Sequence, residues 1–229
     1  MRFEDCAKVR QLPLFREMSE ENFAALMSAA LLQRFPANVQ LINEGDLPDF
    51  LHVVVDGTVE LFARHDDKET TLDILHPVAT FILAAVIRDE PYLKSARTLS
   101  QAHILMIPTE AVRDVFGRDA AFARAIVAEL AERYRSVVRA LKNEKLRTGP
   151  VRLANWILRE DARQGETRRI ALTVGKRTLA SRLGMSPENL SRNLGQLASH
   201  GVRTSGRDIV IDNVRKLSEF AKPNSLIDG

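Results

Sequence analysis

Lys176-Arg177-Thr178-Leu179-Ala180-Ser181-Arg182-Leu183-Gly184-Met185-Ser186-Pro187-Glu188-Asn189-Leu190-Ser191-Arg192-Asn193-Leu194-Gly195-Gln196-Leu197 is the stretch on which the fold turns. Two short helices joined by a tight turn need a small residue where they touch and, between them, a residue that tolerates positive φ. Ala180 and Gly184 meet those needs, while Leu179, Leu183, Leu190 and Leu194 supply apolar contacts. Ser186 is placed to cap the second helix, and Pro187 stands in its first turn, where a missing N–H costs nothing. The pattern predicts a helix-turn-helix.

On the second helix Glu188, Ser191 and Arg192 stand at i, i+3 and i+4, on one face near the N-terminal end. That is the end such a helix presents to the major groove of DNA. Arg can bond a guanine through O6 and N7, Glu can accept from a cytosine N4, and Ser can meet a neighbouring base or phosphate. These three are the candidate base-reading residues. Lys176, Arg177 and Arg182, with Ser186 and Asn189 at the start of the second helix, are candidates for holding phosphates and setting register. The competing reading is a Glu188–Arg192 ion pair on a solvated helix, worth only ~0.3–0.5 kcal/mol. It loses to agreement with the next segment: Gly201 to Ile211 reads as a two-stranded hairpin turning at Ser205-Gly206, a wing beside the helices.

Charge points the same way. The 229 residues carry 33 Lys+Arg and 30 Asp+Glu, for a net +3. Up to Lys145 there are 18 basic and 22 acidic residues, and after it 15 and 8, so the parts carry −4 and +7. A basic C-terminal part behind an acidic larger one suits a polyanionic partner. The single cysteine rules out a disulfide framework and any four-cysteine site within one chain, and it fits a reducing cytosol. No apolar run approaches the ~18–20 residues of a membrane span, and acids stand where a secretory signal would be basic. A cytoplasmic protein that does not engage a membrane is expected.

Upstream, Asp119 to Leu146 contains neither Pro nor Gly, which allows a helix of ~40 Å at ~1.5 Å per residue. Val127, Leu130, Tyr134, Val137 and Leu141 are spaced 3, 4, 3 and 4, the seam of a coiled coil, and predict a homodimer. The alternative is a core helix, which Phe122, Ile126 and Val138 could serve. Thr148-Gly149-Pro150 then marks a hinge, with Thr148 able to cap the next helix. Between Phe35 and Ile107, short apolar runs such as Leu51–Val55, Thr58–Phe62 and Thr71–Leu75 alternate with turns at Glu44-Gly45-Asp46 and Asp56-Gly57. Strands at that spacing indicate a β-sandwich or jelly roll. Near the N-terminus Ser19, followed by Glu20, Glu21 and the run Phe23, Leu26, Met27, marks a helix start. The fold class is α+β, with a β-roll domain over 1–118, a dimerisation helix and hinge over 119–147, and a winged helix-turn-helix over 148–229.

Over nearly its whole length the chain resembles the CRP/FNR family of bacterial transcription regulators: a β-roll with Glu44-Gly45-Asp46 and Asp56-Gly57-Thr58-Val59, a long dimer helix and a winged helix-turn-helix. The resemblance implies a homodimer on double-stranded DNA, with RNA polymerase as a further candidate partner. Glu188-x-x-Ser191-Arg192 looks like the FNR branch and implies a palindrome of TTGAT-like half-sites. Asn193 departs from the family, which usually has an apolar residue there.

The sensor region departs further. Where the family's cyclic-nucleotide binders place a Gly-Glu and an Arg-Ser pair around ribose and phosphate, this chain runs Phe81-Ile82-Leu83-Ala84-Ala85 and then Lys94-Ser95. A buried phosphate needs N–H donors and a cation. Cyclic AMP is therefore not the expected effector, and a solvated Lys94 is the expected state. Phe81, Ile82, Leu83, Lys94 and Ser95 outline a candidate effector pocket, and the apolar stretch fits an apolar ligand, a haem or a closed core. A haem would make the protein a gas sensor and would need an axial ligand, for which His76 is the first candidate, ahead of Cys6 and His52. A constitutive DNA binder with no ligand is the remaining alternative. No Ser/His/Asp set, metal-ligand spacing or phosphate loop supports an enzyme, and the acidic pairs Asp66-Asp67 and Glu160-Asp161 read as solvated surface.

Overall fold

The computed structural model describes residues 3–228. Packing separates the chain into two compact units that meet within one long helix, at Arg133/Tyr134. The first unit opens with helices α1 (Phe3–Arg10), α2 (Pro13–Arg16) and α3 (Glu20–Ala29). Strands β1 (Leu31–Phe35), β2 (Gln40–Ile42), β3 (Phe50–Asp56), β4 (Val59–His65), β5 (Lys68–Leu75) and β6 (Ala79–Phe81) follow. Helix α4 (Leu83–Arg88), β7 (Ser95–Thr98), β8 (Ala102–Pro108), α5 (Thr109–Arg118) and the long α6 (Ala120–Leu146) complete the series. The expected N-cap of α3 is formed: Ser19 Oγ accepts from the Asn22 N–H.

The eight strands make two antiparallel sheets, ordered β1-β8-β3-β6 and β2-β7-β4-β5. This is the β-roll of an α+β chain. Strand β3 is buried along both faces from Leu51 to Val55 because α1, α4 and α5 lie against it. That double burial explains its unbroken apolar run, where a strand with one wet face would alternate. At the turn into β4, Gly57 has φ +87°, and a Cβ there would stand 2.3 Å from the Gln101 carbonyl oxygen. Only glycine satisfies both constraints. Strands β1, β6 and β7 were not expected from the sequence. β6 and β7 are three and four residues long, too short for an alternation to show.

Asp119 begins the long helix and ties it to α3. One carboxylate oxygen accepts from the Ala121 and Phe122 N–H groups, and the other from the Ser19 N–H and the Asn22 side chain. Burial alone would raise its pKa, but these four donors outweigh that and hold it at about 2. A depressed carboxylate contributes stability above its unfolded pKa and loses it as pH falls through the folded value. We expect Asp119→Asn to cost about 2 kcal/mol at pH 7 and nearly nothing at pH 2, in denaturant titrations at both pH values.

The second unit contains the C-terminal end of α6, α7 (Gly149–Arg163), β9 (Arg169–Ala171), α8 (Lys176–Arg182) and α9 (Pro187–Leu197). Strands β10 (Val202–Ser205) and β11 (Asp208–Ile211) and helices α10 (Val214–Ala221) and α11 (Ser225–Asp228) end it. Leu153, Ala154 and Ile157 of α7 pack with Leu179, Ala180, Leu190 and Leu194 of α8 and α9 and with Ile209 and Ile211 of the sheet. The wing turn falls one residue later than predicted: Ser205 pairs with Asp208, so Gly206 and Arg207 form the loop. Gly206 takes φ +62°, and a glycine first in a two-residue loop suits the twist of a hairpin. Glu160-Asp161 is not solvated surface. Asp161 is buried and accepts the Arg168 N–H, fixing the turn before β9, and Glu160 pairs with Arg163 and Gln164.

Candidate nucleic-acid interface and effector region

Helices α8 and α9 meet as their sequence demands. The turn passes through Gly184 at φ +63°, and the Met185 N–H returns to the Ala180 carbonyl at 3.0 Å. Ser186 Oγ accepts the Asn189 N–H at 3.2 Å, making the expected N-cap, with Pro187 in the first turn. Leu190, Leu194 and Leu197 bury one face of α9. The opposite face presents Glu188, Asn189, Ser191 and Arg192 to solvent, so the three candidate base readers stand together. Lys176 and Arg177 are exposed at the start of α8, and Arg182 is half-buried at its end.

The Glu188–Arg192 ion pair is not the arrangement found. Arg192 donates instead to Asn189 Oδ1. Hydrogen bonds from the Ser186 hydroxyl and from its own N–H hold the Glu188 carboxyl below the usual range. Ser191 Oγ donates back to the Pro187 carbonyl at 3.1 Å. Arg192 and Glu188 are thus each held by a neighbour one turn away at most, and both remain exposed. Asn193 is half-buried, with its Nδ2 3.5 Å from Met185 Sδ. It packs against Gly149, where a Cβ would come within 2.9 Å of that amide nitrogen. A polar side chain at this point is accommodated by a glycine at the start of α7.

Sequence reasoning missed Arg152. Its Nε donates to the Leu183 carbonyl at 3.0 Å and its Nη2 to Gly184 at 3.1 Å, both in the turn of the motif. Its Nη1 donates to Arg147 at 2.9 Å and Glu144 at 3.5 Å, at the end of α6. An arginine seven residues beyond Lys145 carries no periodicity or turn signal, so only the fold reveals its task.

The predicted dimer seam divides. Val127, Tyr134, Val137 and Leu141 are 63%, 71%, 66% and 53% exposed, whereas Leu130 packs in part on the core of the first unit. Phe122 and Ile126, on the other side of α6, are fully buried there. The helix therefore has an inner stripe already covered and an outer apolar stripe that is not.

Phe81, Ile82 and Leu83 are all buried in the core of the first unit. Phe81 ends β6, Ile82 turns the chain at φ +62°, and Leu83 begins α4. Ser95 is buried, and its Oγ accepts the Glu44 N–H at 2.9 Å. Lys94 is half-buried rather than solvated. Burial lowers its pKa, opposed by Asp73 and reinforced by the charge of Arg133. Of the haem-ligand candidates, His76 is half-buried after β5 and Cys6 is half-buried in α1. His52 lies in the core, its Nδ1 3.1 Å from the Phe50 carbonyl and its ring stacked on Phe81 at 5.1 Å. Burial pushes it down to about 4, so it is neutral at physiological pH. Among the described residues no cluster of three or more His, Cys, Asp and Glu side chains could hold a metal ion, and no helix is long and apolar enough to cross a membrane.

Residues 32–119 match the cyclic nucleotide-binding domain family, and residues 151–220 match the Crp-like helix-turn-helix domain. The chain belongs to the CRP/FNR family of transcription regulators. It is 23% identical over 215 residues to the CRP-like cAMP-activated global transcriptional regulator of Mycobacterium tuberculosis, covering 91% of this chain and 96% of that one. It is 27% identical over 191 residues to the cyclic AMP receptor protein of Thermus thermophilus, covering 83% and 87%. FixK2 from Bradyrhizobium japonicum superposes with a TM-score of 0.75 at 21% identity, over 86% of this chain and 99% of that one, and shares the fold. Within the CRP/FNR frame the first family match covers the β-roll and the second covers α7 through most of α10.

Proposed function

We propose that two copies of this regulator bind a palindromic DNA site, each placing α9 in the major groove of one half-site. The observation that carries this reading is the division of α9. Leu190, Leu194 and Leu197 anchor one face, and Glu188, Ser191 and Arg192 stand exposed on the other. Arg192 reads a guanine, Glu188 a cytosine on the complementary strand, and Ser191 a neighbouring position. The half-sites are TTGAT-like, as the Glu188-x-x-Ser191-Arg192 pattern of the FNR branch implies. Lys176, Arg177, Arg182 and the capped start of α9 at Ser186 and Asn189 hold phosphates.

The dimer forms along Val127, Leu130, Tyr134, Val137 and Leu141, and half-sites one turn apart, about 34 Å, match its symmetry. The effector is not cyclic AMP. Phe81, Ile82 and Leu83 are buried in the core, and Ser95 Oγ is engaged by the Glu44 N–H, which leaves this region poorly suited to a cyclic phosphate and its ribose. Effector control works as a population shift between matched and mismatched dimers. RNA polymerase is the further partner that the bound dimer would contact if it activates transcription.

Two substitutions separate reading from holding. Arg192→Ala is expected to cost about 1–3 kcal/mol per half-site and to relax preference at one base pair in each half-site. Lys176→Ala should weaken target and random duplexes alike and lower the salt slope by about one for each copy bound. Fluorescence anisotropy on both duplexes over a salt series measures this. Equal losses on target and random DNA for Arg192→Ala would remove the base-reading role.

A further inference from the structure

The end of the long helix is fastened within the second unit by two polar clasps, the first to the turn between α8 and α9 and the second to α7 and the C-terminal turn. In the first, the Arg152 guanidinium bridges four carbonyl oxygens, those of Glu144 and Arg147 at the end of α6 and those of Leu183 and Gly184 in the turn between α8 and α9. The last carbonyls of a helix have no partner within it and carry partial negative charge, so a planar five-donor cation is well matched to two such ends at once.

In the second, the Asp228 carboxylate accepts two bonds from Arg147, each 2.6 Å, and one from Arg159 of α7 at 2.8 Å. Arg147 also donates to Asn143 of α6, and Lys142 of α6 donates to the Leu226 carbonyl. The Arg147 side chain is only 7% exposed and that of Asp228 10%, so the pair is shielded from water. Buried bidentate pairs hold geometry more tightly than surface ion pairs do. By contrast Leu226, at the centre of this C-terminal turn, is exposed, so polar contacts rather than apolar packing hold the turn in place.

We propose that Arg152 and Asp228 are positioning residues for DNA recognition, Arg152 locking the end of α6 to the turn between α8 and α9 and Asp228 locking it to α7, so that the dimer helix sets the spacing at which the two α9 helices read. Neither touches the exposed reading face. Their contribution is to make the Leu146–Thr148 hinge stiff, so that a dimer accepts one half-site separation and rejects its neighbours. The inference rests on the paired-site reading above. It predicts that releasing either clasp loosens the choice of spacing while each single reading head stays intact.

The test uses the full chain, the variants Arg152→Ala, Arg152→Lys and Asp228→Asn, and duplexes in which two selected half-sites are moved by up to two base pairs either way, beside a duplex with one half-site. The unaltered protein should bind the best spacing about a hundredfold tighter than the most displaced one, since paired engagement is lost when geometry forbids it. Arg152→Ala and Asp228→Asn should bring that ratio to within about threefold while changing single-half-site affinity by less than about threefold, and Arg152→Lys should restore part of it. Amide exchange over 143–152 should rise in the same two variants. Spacing preference retained by either variant overturns the proposal for that clasp, and retention by both overturns it entirely, as does a loss of single-half-site affinity as large as the loss on paired sites. An unaltered protein with no preference among spacings overturns the proposal and the paired-site reading together.

Discussion

Val137→Asp and Leu141→Asp are each expected to convert the protein from dimer to monomer without unfolding it. Both side chains are more than half exposed in the single chain, so a carboxylate there breaks no internal packing. In the proposed dimer the same positions would lie on a seam with Val127 and Tyr134, where a charge would be buried against a like charge at high cost. Binding to a paired site should fall by about 10²–10⁴-fold, because the second reading head no longer benefits from being tethered to the first. Sedimentation of each variant gives the mass, and thermal melting should remain within a few degrees of the parent. A variant that stays dimeric would place the interface elsewhere.

The second large effect is expected at Leu190, which is fully buried on the inner face of α9. Leu190→Ala removes core volume between α9, α8 and α7 and should cost about 2–5 kcal/mol. For a unit of this size each kcal/mol lowers the melting temperature by about 4–8 °C, so the C-terminal unit should melt well before the β-roll. Calorimetry should show the C-terminal transition moving and the N-terminal one unchanged. Ser191→Ala, one residue on but exposed, should shift neither by more than about half a kcal/mol. Equal effects at the two positions would contradict the division of α9 into an anchored and a reading face.

That division was legible in the sequence because local chemistry dictates it. A serine cap before a proline, a glycine where φ must be positive, and leucines at helical spacing each have one economical solution, and the structure adopts it at Ser186, Pro187 and Gly184. The long helix was equally legible, since the absence of Pro and Gly over 119–146 leaves little else for that stretch to be. What sequence could not supply was pairing at a distance. Arg152 meets carbonyls 31 and 32 residues away, and Asp228 meets Arg147 from 81 residues away. Neither partner leaves a periodic trace.

Asp161 shows the same limit from the other side. Next to Glu160 it looks like solvated charge, yet it is buried as the anchor for the Arg168 N–H. Lys94 also differs from expectation, since the fold draws it into half-burial near Asp73 and Arg133. The wing turn moved by one residue because Gly206 takes the first loop position rather than the second. Strand pairing, not the identity of the glycine, fixes that register.

Selection of bound duplexes from random DNA by the purified protein, with and without extracted metabolites, tests the central claim most directly. The account predicts enrichment of a two-fold symmetric sequence with half-sites about one helical turn apart and a G·C pair in each whose identity is lost in Arg192→Ala. Enrichment of no sequence under any condition, or of an unpaired one that Arg192→Ala reads equally well, would contradict it.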